Sequence, residues 1–235
     1  MVSLEGGDAS VVRGTAGYAI VPGMTVYGLL SVINAEGGND DTSYGLGAEY
    51  QTEDYGIALQ YKTFDDADLD ILTLAGFYGF GASTVYGFAT DLDYDSFDDD
   101  DTYYALGYKY DAAAFEVNVA TAWYEGDFDT GLTAIGGEYN ATQDFTVLAS
   151  VVSTNEDYLD DGVLTIGGRY ALNDSTSLEA NYGTAFGDID GDGFSLALTF
   201  ETGARRLRVM DQVEDFASDT TSLLDITTPL FDILN

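Results

Sequence analysis

The stretch "GVLTIGGRYALNDSTSLEANYGTAFGDIDGDGFSLALTF" (residues 162–200) decides the fold, because its side chains alternate between two faces. In its first segment, Leu164 and Ile166 share one face, while Thr165 and Arg169 share the other. Clusters of Asn, Asp, Ser and Gly then interrupt the alternation and restart it twice. Alternation of period two bounded by turn residues predicts antiparallel strands that have one apolar face.

The same pattern extends over most of the chain and predicts an all-β fold with nearly no helix before residue 200. Each segment is close to ten residues long and is bounded by Gly, Asp, Asn or Ser. The predicted strands are residues 10–21, 24–35, 44–52, 55–64, 70–81, 83–91, 102–110, 113–124, 130–140, 144–154, 162–172, 175–187 and 193–201.

Short and long connections alternate between these segments. The short ones are turns such as Pro22-Gly23 and Gly81-Ala82, whereas the longer ones carry more than half of the 42 acidic residues. We therefore expect the negative charge to lie at one end of the sheet. The longer connections are predicted at residues 36–42, 65–70, 91–101, 125–129, 156–161 and 188–192.

The overall composition excludes several classes of function. Seven basic residues against 42 acidic ones give a net charge of -35, whereas nucleic-acid binding needs a basic face. The chain has neither histidine nor cysteine, which removes Ser-His-Asp and Cys-His catalytic sites, thiolate or imidazole metal sites and disulfides. We predict that the protein is not an enzyme and uses no tightly bound cofactor.

Three features favour a membrane-spanning sheet over a soluble sandwich, which would show the same alternation. The segments match the 9–11 residues that a tilted strand needs to cross a bilayer, while soluble strands average about five or six. The connections alternate as in an up-and-down barrel. Aromatic residues also mark the ends of the apolar faces, as at membrane interfaces: Tyr44 and Tyr50, Tyr55 and Tyr61, Tyr104 and Tyr110, Phe115 and Trp123, and Phe194 and Phe200.

With these hairpins, residues 10–200 resemble Gram-negative outer-membrane porins, most closely those of alphaproteobacteria, and the quoted stretch is the most typical part. The resemblance implies a transmembrane up-and-down antiparallel β-barrel in the bacterial outer membrane, in contact with lipids and lipopolysaccharide and assembled as a homotrimer. In that family an aromatic residue ends the last strand, and Phe200 matches it in place, although 35 residues follow here.

The organisation predicted from this pattern is a barrel over residues 1–200 and a tail over residues 201–235. Thirteen strands is an odd number, whereas single-chain bacterial barrels usually have an even one. Residues 1–6 could supply a fourteenth strand, or the chain could be part of a sixteen-stranded barrel.

Charged residues within the strands fall on the face opposite the aromatics, as a water-filled lumen predicts, because a charge facing lipid costs about 2–4 kcal/mol near the midplane. If Tyr110 pairs with Phe115, Lys109 lies opposite Glu116. A tight turn after Leu172 would likewise place Arg169 opposite or diagonal to Glu179. These groups could form ion pairs that only satisfy one another, or a mixed-charge ring that favours polar solutes. The predicted pore-lining charges are Arg13, Glu49, Lys62, Lys109, Glu116, Glu138, Arg169 and Glu179.

One acidic connection has the spacing of a calcium loop. Asp188, Asp190 and Asp192 alternate in "GDIDGDGF" (187–194), but Thr199 stands where a bidentate Glu is expected. The segment is either a weak calcium site or an ordinary acidic hairpin loop.

The tail differs in composition from the barrel. Within residues 204–217, Leu207, Met210, Val213 and Phe216 follow at three-residue steps and predict a short amphipathic helix. Its arginines come first, against the helix dipole, so it would need packing to persist. Four interpretations fit the tail: a lumen-resting or periplasmic appendage, a partner-binding segment, sequence foreign to the barrel, or a poorly ordered tail. The resemblance implies a long third loop that folds into the lumen, but no connection here exceeds about eleven residues. Either the barrel is narrowed by side chains of its wall, or the strands that carry such a loop are missing from this chain.

The sequence as a whole predicts a porin that passes small hydrophilic solutes by passive diffusion and prefers cations, because acidic loops surround one mouth. Two alternatives fit the same sequence. One is a soluble, secreted acidic β-protein resembling a calcium-dependent adhesin, and the other is a non-conducting structural barrel.

Overall fold

A computed structural model of the chain describes residues 9–35, 41–64, 69–94, 101–156, 158–173, 175–188, 190–200 and 208–218. Within them thirteen strands form one sheet in the order of the sequence, and every neighbouring pair is antiparallel. All thirteen predicted strands are confirmed, with ends within three residues of the prediction. The strands are β1 (Ala9–Val21), β2 (Met24–Ala35), β3 (Asp41–Gln51), β4 (Tyr55–Phe64), β5 (Leu69–Phe80), β6 (Ser83–Tyr94), β7 (Asp101–Asp111), β8 (Phe115–Tyr124), β9 (Asp127–Asn140), β10 (Phe145–Thr154), β11 (Gly162–Asn173), β12 (Thr176–Phe186) and β13 (Asp192–Phe200).

The two ends of the sheet are β1 and β13. Among the described residues β1 pairs with β2 alone and β13 with β12 alone, so no β1–β13 pair closes the sheet. Residues 1–6, the suggested fourteenth strand, lie outside the described residues, as do much of the three acidic connections at 36–42, 65–70 and 91–101.

One face of the sheet is apolar and exposed along its whole width. Leu46 in β3 is 72% exposed and Phe194 in β13 is 70% exposed. The predicted aromatic ends lie on this face, where Tyr50 packs with Tyr55 at 5.9 Å between ring centroids and Tyr104 with Trp123 at 5.8 Å. An apolar surface this extensive is unfavourable in water and suits contact with lipid.

The opposite face carries the polar side chains, and we call it the inner face. Its buried members include Glu49, Gln60, Lys62, Thr73 and Asn118. The two-residue period of each strand places these residues on the inner face, because successive side chains point to opposite sides of a sheet.

Two details of the connections differ from the sequence-based prediction. The connection at 125–129 is not a long loop, because Tyr124 pairs with Asp127 across Glu125-Gly126, with Gly126 at φ 78°. A residue with a side chain rarely adopts that backbone conformation, so the glycine permits the tight turn. Asp127 and Asp129 therefore belong to β9 rather than to a loop.

The other difference is the register after β7. Tyr110 pairs with Val117, not with Phe115, and Lys109 pairs with Asn118. Ala112 and Phe115 exchange backbone hydrogen bonds of 2.9 and 3.2 Å and close a turn at Ala113-Ala114. The predicted pairing would have placed the turn one residue earlier.

A helix, α1 (Val209–Ser218), lies within the tail segment for which the sequence predicts one. It packs on the inner face of β3 to β7, most extensively on β5. Val209 and Val213 are 0% and 1% exposed and join a buried apolar cluster with Ala58, Ile71 and Ala75. The described residues contain no helix that is long and apolar enough to cross a membrane.

Candidate functional site

Seven of the eight charged residues predicted to line a pore lie on the inner face in two groups. We call the first the charged wall, which consists of Lys109, Glu116, Glu138, Arg169 and Glu179 on β7, β8, β9, β11 and β12. The second is the covered wall, the inner face of β3 to β6 beneath α1, which carries Glu49 and Lys62. Arg13 pairs with Ser31 in the register of β1 and β2, and its side chain lies outside the described part of the structure.

The charged wall begins with an ion pair between β7 and β8. Lys109 Nζ lies 2.8 Å from Glu116 Oε2, with both side chains partly exposed. The pair forms on a diagonal, because Glu116 is opposite Asp111 and Lys109 is opposite Asn118. A long lysine side chain spans such a diagonal, so the predicted contact forms although the predicted register is wrong.

A second ion-pair cluster continues the wall on β9, β11 and β12. Arg169 Nε donates to Glu179 Oε2 at 2.8 Å, and Arg169 Nη1 lies 3.1 Å from Glu138 Oε1. Arg169 is directly opposite Glu179, which is one of the two positions that the sequence allowed. One guanidinium therefore holds two carboxylates, and its side chain remains 37% exposed.

The wall has an excess of negative charge. Glu116 and Glu138 are opposite one another across β8 and β9, so two like charges stand side by side. Three carboxylates face only two cationic groups along this row. The arrangement can contact polar solutes through both signs of charge, with a net negative field.

The covered wall has a different character, because its charged side chains are buried. Glu49 is 4% exposed and Lys62 is 2% exposed. Lys62 Nζ lies 4.7 Å from the centroid of the Phe64 ring, which gives the ammonium an aromatic face. Both residues lie on the face that the sequence predicted, and their role in lining a pore stays a prediction.

Glu49 binds the start of α1. Its Oε2 accepts a hydrogen bond of 2.9 Å from the backbone N–H of Val209, the first helical residue. Asp211 accepts another from the backbone N–H of Arg208 at 3.1 Å. The amides at a helix N-terminus have no partner inside the helix, and carboxylates there are favoured by the helix dipole. These contacts offset the unfavourable order of charges noted in the sequence.

Two tyrosines tie strands together across a glycine. Tyr86 of β6 passes over Gly107 of β7 and donates to Asn118 Oδ1 of β8 at 2.7 Å, and a Cβ on Gly107 would collide with its ring. Tyr27 of β2 crosses Gly47 of β3 in the same way and donates to Gln60 Oε1 of β4 at 3.3 Å. Sequence alternation places these residues on the inner face but does not reveal the bridges.

Comparison with solved structures identifies the architecture. The chain is similar to one mutant of Rhodopseudomonas blastica porin with a TM-score of 0.57 and 12% sequence identity, over 82% of this chain and 89% of that one. Two further mutants of that porin give TM-scores of 0.56 and 0.55 at 13% and 12% identity over the same shares. The chain has a porin-like fold. A scan against protein-family models and a search of curated proteins found no match.

The helix α1 lies on the inner face of this porin-like sheet, opposite the exposed apolar face. Sequence reasoning allowed this position but did not select it. The available signal was the apolar inner side of β4 to β6, which includes Ala58, Ile71, Ala75 and Phe88 and would be unfavourable in contact with water.

The predicted calcium loop has no supporting geometry in the described residues. The backbone N–H of Asp188 donates to Asp161 Oδ1, and Asp192 belongs to β13, where it pairs with Thr184. No group of three or more Asp, Glu, His or Cys side chains in the described ranges is arranged to hold a metal ion. Calcium binding by Asp188, Asp190 and Asp192 stays a prediction.

Proposed function

We propose that the protein forms a water-filled channel in a bacterial outer membrane, through which small hydrophilic solutes diffuse passively with a preference for cations. The observation that carries this proposal is the segregation of the two faces. The exposed large apolar side chains line the outside of the sheet, whereas Lys109, Glu116, Glu138, Arg169 and Glu179 all lie on the inner face. A water-filled lumen accounts for both the apolar outside and the charged inner face.

Cation preference is supported by the balance of charge on the charged wall, where the carboxylates outnumber the cationic groups. The net charge of -35 adds a negative potential around the protein, which concentrates cations and depletes anions near the mouths. A field of this kind acts on the solute without bond chemistry, so we propose a channel rather than an enzyme. The homotrimer implied by the resemblance stays a prediction.

The soluble alternative is disfavoured by the exposed apolar face, which in water would cost free energy in proportion to its area. The non-conducting alternative is favoured by one observation, the presence of α1 on the lumen side. Measurements of ionic current across a bilayer separate a channel from a closed barrel.

The test is single-channel recording of the purified full chain in planar lipid bilayers. We expect discrete conductance steps, and a reversal potential in a potassium chloride gradient that has the sign for cation preference. Steps with the opposite sign would contradict the cation preference but not the channel. Protein that runs as a folded, heat-modifiable band yet gives no steps would contradict the channel itself.

A further inference from the structure

The position of α1 divides the inner face into an occluded part and an open part. The helix contacts β3 to β7, and its Val209 and Val213 side chains are fully buried there. The side chains of Lys109, Glu116 and Arg169 keep 15%, 19% and 37% of their surface exposed. Water therefore reaches the charged wall but not the covered wall.

The covered wall is shaped to receive the helix. Gly56, Ala58 and Ala75 leave a shallow slot of small residues, and a Cβ on Gly56 would approach Val209 Cγ2 to 2.8 Å. A side chain at position 56 that is not bonded to position 209 would crowd Val209 and the Phe77 ring, because such contacts are shorter than carbon atoms tolerate. The small residues of the wall and the Val209 side chain of the helix together produce this fit.

Polar contacts fix the helix at its first turn. Glu49 accepts from the Val209 N–H, and Arg208 Cζ lies 5.3 Å from the centroid of the Tyr27 ring. Arg208 also forms an ion pair with Asp211, whose side chain is 8% exposed. A buried Glu49 without the helix amide would be costly, so the wall and the helix stabilise each other.

We propose that α1 is the constriction element of the channel, which fills the lumen beside β3 to β7 and confines solutes to the space between the helix and the charged wall. This inference rests on the proposed function above. A helix with its side chains is about 10–12 Å across, so it removes on the order of 100 Å² of the open cross-section. Solutes then pass close to Arg169 and its carboxylate partners, which raises the effect of that cluster on selectivity.

The first experiment displaces the helix in the full chain. In Val209→Asp/Val213→Asp, two carboxylates would be buried without partners, and we expect α1 to leave the wall. Conductance should rise by about twofold or more, because a helix-sized obstacle leaves the path, and larger neutral polymers should enter the channel. Val163→Asp/Ala197→Asp adds two carboxylates to the inner face of β11 and β13 instead, and should keep the wild-type polymer cut-off.

The second experiment makes the displacement reversible, so that a failure to fold cannot be mistaken for a result. The chain has no cysteine, and the spacing between position 56 and Val209 suits a disulfide. Gly56→Cys/Val209→Cys/Val213→Asp is purified oxidised, with α1 held on the wall. We expect a wild-type conductance while the disulfide is intact and the larger conductance after reduction.

The outcomes separate the two proposals. If the wild type conducts and neither helix release nor reduction changes its conductance or polymer cut-off, the constriction is wrong and the channel stands. If no protein conducts in any state, the proposed function is wrong and the constriction with it. A closed wild type that opens only when α1 is released would support obstruction by α1 and overturn a resting channel.

Discussion

The covered wall and the charged wall belong to one sheet and one face, yet they use polar residues in opposite ways. On the covered wall, Glu49 is buried and accepts a hydrogen bond from the backbone amide of Val209 in α1. On the charged wall, Glu138 and Glu179 share Arg169 and stay in contact with water. The same residue type is therefore structural where α1 covers it and open to water where α1 does not. Cover by the helix, rather than composition alone, decides what a carboxylate on the inner face does.

The largest effect should come from placing the same new charge on the two parts of the inner face. Ala58→Asp buries a carboxylate among the apolar side chains beneath α1, and we expect a loss of about 3 kcal/mol or more in stability. Ala197→Asp places the same carboxylate at an exposed inner position of β13 and should change stability little.

The stability of each variant is measured by heat-modifiable gel mobility. The measured quantity is the temperature at which the folded band disappears. Ala58→Asp should lower this temperature and Ala197→Asp should not. Equal shifts for the two variants would show that the walls do not differ in their access to water.

A smaller effect is expected when one positive charge is removed from each wall. Arg169→Gln leaves Glu138 and Glu179 without their cation beside the open path, so cation preference should increase. A unit charge about 4 Å away changes the energy of a monovalent ion by about 1 kcal/mol in water, which limits the change in permeability ratio to roughly fivefold. Lys62→Gln removes the same charge from a buried position and should leave selectivity near the wild type.

The measurement is the reversal potential of each variant in the same salt gradient. Glu138→Gln/Glu179→Gln should move it in the opposite direction from Arg169→Gln. A shift for Lys62→Gln as large as that for Arg169→Gln would mean that the covered wall also borders the solute path.

A third comparison concerns the hydrogen bond from Tyr86 of β6 to Asn118 of β8, which lies between the two walls. Tyr86→Phe keeps the ring over Gly107 and removes only the hydroxyl, leaving the buried Asn118 oxygen with one donor fewer. We expect a loss of about 1–2 kcal/mol. Tyr27→Phe removes the longer bond to Gln60 and should cost less.

Thermal loss of the folded band again provides the measurement, with conductance as the control. Both variants should keep the wild-type conductance, because both tyrosines are buried. A stability loss for Tyr27→Phe that exceeds the loss for Tyr86→Phe would contradict the ranking by hydrogen-bond length.

The strands could be predicted from the sequence because each one is specified locally. Alternation within β11 or β13 depends only on residues two apart, and the chain repeats it thirteen times with turn residues between. The ion pair of Arg169 with Glu179 could be predicted for the same reason, since a tight turn fixes the register of a hairpin.

The errors arose where a local pattern has two solutions. The turn after β7 could close at either of two places, and only the mutual bonds between Ala112 and Phe115 show which one is used. Glu125-Gly126 looked like the start of an acidic loop because Asp127 and Asp129 follow it, but glycine allows the strands to continue to the turn.

The place of α1 could not be derived from periodicity, because it is decided by residues far apart in the chain. The periodic apolar residues of the tail predicted a helix but not its partner. That partner is a row of small and apolar inner positions on β4 to β6, and only the folded sheet assembles them into a surface.

The bond between Glu49 and Val209 also implies an order of events during folding. Its two residues are 160 positions apart, whereas each strand of the sheet pairs with the strand next to it in sequence. Contacts between distant parts of a chain form late, because the intervening loop must be closed first. The slot for α1 exists only once β3 to β6 have paired, so the helix docks after these strands, and a bound helix marks this part of the sheet as assembled.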